Sequence, residues 1–141
     1  MAAGGSTITL TGSGFFRKQP ATARFSAIAA KGGGNWQTFD SAGTPTGSGT
    51  YTVLTGPAFF QQTAGTFPAS LTDSIGNAAD ARAGMMVVEV EFSDGDRGVL
   101  GVFCSLYGSP ATNLEGSTVT KGTADYLTIG TPNLTVFHVA K

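Results

Sequence analysis

The chain has 141 residues, a formal net charge of −1, and 12% charged residues, about half the ~25% usual in soluble domains. Eight Lys and Arg against nine Asp and Glu leave no basic surface for nucleic acid and no electrostatic grip on an anionic membrane. Hydrophobic content of 40%, with 10 Phe, excludes a disordered chain and suits one domain with a real core.

Cys104 is the only cysteine, so no intrachain disulfide can form. The opening "MAAGGSTITL" lacks the basic and apolar regions of a secretory signal. No run approaches the ~18 apolar residues of a membrane span. A cytoplasmic location, without membrane or nucleic-acid partners, is the expectation.

In chain order the pattern is short β runs punctuated by Gly, Pro, Asn and Asp. "STITLTGSGFF" alternates, with Ile8 and Leu10 on one face and Thr7, Thr9 and Thr11 on the other. "TARFSAIAAK" follows the Pro20 break. "NWQTFDSAGTPTGSGTYTVLTG" reads as strand, loop and strand, with "GTPTGSGT" (Gly43 to Thr50) as the loop. "AFFQQTAGTFPASLT" reads as a strand bending at Gly65 and Pro68. "TDSIGNAADARAGMM" is a loop with at most one helical turn, capped by Asp73 or Ser74 and weakened by Gly76 and Gly84.

The stretch from Met85 to Gly108 predicts a hairpin. Met86, Val88, Val90 and Phe92 share one face, and Val87, Glu89 and Glu91 the other. A three-residue loop, Asp94 to Asp96, sets Val90 opposite Leu100 and Val88 opposite Val102. That register stacks two aliphatic stripes into the core and turns Glu89 and Glu91 outward, or toward a polar part of a mixed interior, since burying a lone carboxylate is costly. "EGSTVTKGTADYLTI" gives one or two short strands, and "NLTVFHVA" a last one of strict alternation. The sum is an all-β, single-domain antiparallel β-barrel of about eight strands.

Two segments carry a family resemblance. In "NWQTFDSAGTPTGSGTYTVL", Asp40, Gly43 and Gly47 precede Gly49-Thr50-Tyr51. "GVLGVFCSLYG", "EGSTVTKGTADY" and "NLTVFHV" follow in order. Together, over roughly Asn35 to Val139, they resemble allene oxide cyclase and dirigent-type (calycin-like) barrels. Spirotetronate-type cyclases share the glycine pattern. The resemblance implies an apolar cavity in which a small molecule cyclises or isomerises without a cofactor. The acidic and arginine residues of the dirigent triad have no matched positions here.

Few residues suit chemistry. His138 is the only histidine, so it can act as a base near neutrality but cannot build a His-based metal cluster. Glu89 is the other candidate polar catalyst. Asp94-Gly95-Asp96 reads as a turn rather than a calcium loop, because no further acidic spacing follows. Cys104 lies on the aliphatic stripe and reads as an inert core thiol. Trp36, Tyr51, Phe103 and Tyr126 are candidate ligand-lining aromatics, against the plainer reading of core packing. No P-loop, dinucleotide fingerprint or zinc spacing occurs, so no cofactor or metal is expected.

Two functions follow. One is a cofactor-free barrel for an apolar, polyketide- or lipid-like small molecule, acting as a cyclase or isomerase by holding it in a reactive conformer. The other is a non-enzymatic β-protein that self-associates into a capsid, decoration layer or other oligomer. The low charge favours the second, and the ordered strand resemblance the first.

Overall fold

The computed structural model describes residues 1–17, 27–28, 30–55, 58–112, 114–129 and 135–139. Ten strands fall within them: β1 (Thr7–Phe16), β2 (Ala27–Ile28), β3 (Ala30–Phe39), β4 (Pro45–Val53), β5 (Ala58–Thr63), β6 (Ala81–Phe92), β7 (Arg97–Cys104), β8 (Gly116–Lys121), β9 (Ala124–Tyr126) and β10 (Phe137–His138). Every pairing is antiparallel. The expected all-β architecture is therefore present. No described helix is long and apolar enough to cross a membrane.

The ten strands reduce to eight runs. A single residue separates β2 from β3. β4 and β5 lie along the same edge of β6, where Val53 faces Val90 and Phe59 faces Val87. The main path β1-β3-β4-β6-β7-β8-β9 then follows chain order, a meander of hairpins. β10 pairs with the start of β6.

The sheet curls without closing by strand pairing, so the term barrel applies only loosely. At one end, Met1 and Leu127 exchange backbone hydrogen bonds, which ties the chain start to the residue after β9. The core occupies the inner face. Trp36, Tyr51, Val88, Val90, Phe92, Leu100, Val119 and Tyr126 form it, with Ile8, Leu10 and Phe16 of β1 only partly covered.

The β6–β7 hairpin keeps the expected faces but not the expected register. Val88 lies opposite Leu100, and Met86 opposite Val102. The loop holds three residues, Ser93 to Gly95, starting one residue earlier than the sequence suggests. The Phe92 N–H donates to the Asp96 carbonyl at 2.8 Å, and Gly95 supplies φ +94° as the turn closes. Moving the loop by one residue shifts partners on both strands together, so the aliphatic stripes still coincide.

Three further expectations are corrected. "GTPTGSGT" is not a loop, because β4 begins at Pro45. Its glycines make room for an indole: a Cβ on Gly49 would stand 3.0 Å from Trp36 Nε1. The turn instead belongs to Asp40, whose carboxylate accepts from the N–H groups of Ala42 and Thr44 at 2.9 and 2.8 Å. β6 starts at Ala81, earlier than the hairpin reading placed it. The 3₁₀ turn Ala78–Asp80 is capped by Asn77, and Asp73 caps the bend before it by accepting from the N–H groups of Ile75 and Gly76. Of "TARFSAIAAK", residues 22–26 and 29 lie outside the described residues, as do 133, 134 and 140 of the closing "NLTVFHVA", where β10 spans two residues.

Candidate functional site

The inner face carries one polar cluster. Alternation along β8 puts Lys121 on the same side as buried Val119, so its side chain enters the curled sheet and is 9% exposed. Its ammonium sits 4.5 Å from the Trp36 ring centroid and 5.1 Å from that of Phe92. It donates to Asp94 and, at 2.6 Å, to Asp96, both beyond the end of β6. Burial alone would lower the Lys121 pKa, but hydrogen bonds and charge from the two carboxylates outweigh it and hold the ammonium above its ordinary value. The bond from Lys121 holds the Asp94 carboxyl below its own.

The aromatic candidates divide. Trp36, Tyr51 and Tyr126 are buried. The Trp36 and Phe92 rings meet edge-on at 6.0 Å, and Tyr51 lies 6.3 Å from Phe92. Trp36 Nε1 donates to the Thr50 carbonyl at 3.1 Å. Burial raises the Tyr51 phenol pKa. Tyr51 reaches over β3 to β1, so a Cβ on Gly12 would fall 2.3 Å from its hydroxyl. Phe103 does not join them. It alternates with buried Cys104 and lies on the outer face, its ring over Gly101.

Neither polar candidate reaches this cluster. Glu89 is exposed between buried Val88 and Val90. Glu91 shares that outer face and meets Arg97 across the hairpin at 3.7 Å. His138 sits against the start of β6, opposite Ala81, while the aromatic cluster surrounds its far end at Phe92. The span of β6 is on the order of 30–40 Å at ordinary strand rise. His138 Nε2 bonds Asp73 Oδ2 at 2.5 Å. That carboxylate also accepts from the N–H groups of Ile75 and Gly76, and the His138 bond foremost holds its pKa below the ordinary value.

Sequence reasoning missed Lys121, Asp73 and Glu115. Glu115 accepts from the N–H groups of Ser105 and Thr135 and from the Thr135 hydroxyl, joining the end of β7 to the segment before β10. Desolvation first, and the nearby Glu115 charge second, push the Cys104 thiol up to about 11, so it stays protonated at neutral pH. Only Lys121 had a signal in the sequence, its shared parity with Val119.

Two concavities open to solvent lie at the surface. One, of ≈ 530 Å³, is lined by Gln62, Thr66, Phe67, Ala79 and Arg82 where the β5–β6 loop meets β6. The other, of ≈ 480 Å³, lies along β1, β3 and β4 among Thr9, Thr11, Asn35, Trp36, Gln37 and Thr50, so of the candidate aromatics Trp36 borders it. Among the described residues no three His, Cys, Asp or Glu side chains converge as metal ligands. Compared with protein-family models, curated proteins and solved structures, the chain matches none, so the likeness to allene oxide cyclase and dirigent-type barrels rests on its quoted motifs.

Proposed function

We propose that this chain is a structural β-protein that works by associating with copies of itself. The observation that carries this reading is the use made of the aromatic side chains. Trp36, Tyr51 and Tyr126 are 6%, 8% and 9% exposed and pack as core, and the Lys121 ammonium covers the Trp36 and Phe92 rings. A ligand site keeps its aromatic lining accessible and brings polar groups toward it. Here Glu89 and His138 stand apart from that lining.

The outer surface points the same way. Isolated exposed apolar residues are ordinary. Phe15 at 87% and Tyr107 at 79% are large side chains left nearly bare, on a chain with little charge to keep copies apart. Sedimentation velocity at micromolar concentration tests the reading. The expected result is a species of at least twice the protomer mass. A monomer whose Trp36 fluorescence is quenched by apolar, polyketide-like ligands would overturn it and favour the small-molecule cyclase or isomerase instead.

A further inference from the structure

The geometry points to the free edge of β1 as the self-association surface, pairing antiparallel with β1 of a second copy about a two-fold axis; this rests on the self-association proposed above. β1 is the first strand of the sheet path, and among the described residues only β3 pairs with it. Alternate backbone N–H and C=O groups therefore face away from β3, with no strand partner among the described residues. Natural edge strands are blunted by charge, proline, bulges or shortness. β1 is ten residues long, contains no charged residue and no proline, and keeps an unbroken register with β3 from Thr7 to Phe16. For a contact between identical surfaces, charge complementarity means the absence of like charges, and this edge satisfies it.

The register can be assigned. The segment just before β1 is already bonded, because Ala2 N–H donates to the Ser6 carbonyl and Met1 pairs with Leu127. The stretch of β1 farthest from those bonds runs from Leu10 to Phe16. Inner faces coincide only when paired residues have the same parity. Placing Leu10 opposite Phe16 of the second copy meets that condition and puts Ser13 on the axis. Two partly covered core residues then shield each other. On the outer face, Thr11 comes beside Phe15, one of the most exposed large apolar side chains of the protein.

Two variants of the full chain test this. Ser13→Cys places paired Cβ atoms roughly 4.5–5.5 Å apart across the axis, so a short bis-maleimide should link two chains. Thr50→Cys, on β4 inside the sheet, should not link. Cys104 is buried and does not compete. Thr11→Lys with Phe15→Lys adds charge only at exposed positions but sets lysines against each other in the pair, and should at least halve the sedimenting mass. Both results together support the assignment. If the unaltered protein self-associates, failure of either overturns β1 as the contact while self-association stands. If it is monomeric, both readings fail.

Discussion

Lys121 is the residue on which the inner end of the sheet depends, and its two parts can be separated. The ammonium lies over the Trp36 and Phe92 rings and holds Asp94 and Asp96, and the whole side chain is 9% exposed, so its buried volume is a second contribution. The aspartates are 41% and 46% exposed, so water can replace the ammonium there and the ion pairs contribute at most about 1 kcal/mol. The buried volume of the side chain has no such substitute. Lys121→Ala should therefore cost about 2–4 kcal/mol, and Lys121→Met, which keeps the volume, about 1 kcal/mol or less. The charge appears in the pH dependence instead. Asp94 has its carboxyl pKa depressed in the folded state, so its contribution is full above an unfolded value of about 4 and is lost as pH falls through the folded value. The Lys121 pKa is raised, so its contribution holds below the ordinary 10.5 and is lost as pH rises above it. Lys121→Met should flatten the acid fall in stability, measured by urea unfolding at stepped pH with Trp36 emission as the probe. An unchanged acid limb would show that other carboxylates set it.

At the scale of elements, the loop between β5 and β6 has its own fastening. It is tied by the backbone bond from Thr66 to the Tyr107 carbonyl and by the Asp73–His138 pair. Its surroundings include Asp80, whose carbonyl accepts from Val139 N–H, and Arg82, which donates to the carbonyls of Ala79 and Ala81. His138→Ala removes one anchor and no core residue. Amide exchange around Ile75 and Gly76 should quicken several-fold while amides of β6 and β7 keep their protection. Equal acceleration everywhere would mean that His138 supports the whole fold. The sequence made much of this scale legible. Alternation revealed β1, β6 and β7, and the cost of a buried carboxylate turned Glu89 outward. It misread "GTPTGSGT" because glycine marks both turns and close approaches, and the indole above Gly49 belongs to another strand. For the same reason the Lys121 cluster was out of reach. Its lysine, aspartates and aromatic rings come from separate parts of the chain, and only the curl of the sheet brings them together.

For the whole molecule, the charge is sparse and part of it is paired internally. Lys121 is held by Asp94 and Asp96, Arg97 by Glu91, and Asp73 by His138, all within one chain. β1, the proposed contact, carries none of the chain's eight Lys and Arg and nine Asp and Glu. Self-association through strand edges and apolar side chains should then respond weakly to salt. Screening acts over ~10 Å at ~0.1 M, which weakens exposed ion pairs but leaves backbone hydrogen bonds and apolar burial nearly untouched. The sedimenting mass should stay the same, or rise, as sodium chloride is increased from ~0.05 M to ~0.5 M. Sulfate at matched ionic strength should favour the assembled form further, because its exclusion from protein surface strengthens apolar burial. Dissociation by sodium chloride would place the contact on the exposed charged residues, away from β1. Sulfate and chloride acting alike would separate backbone pairing from apolar burial, since only burial gains from the exclusion of sulfate.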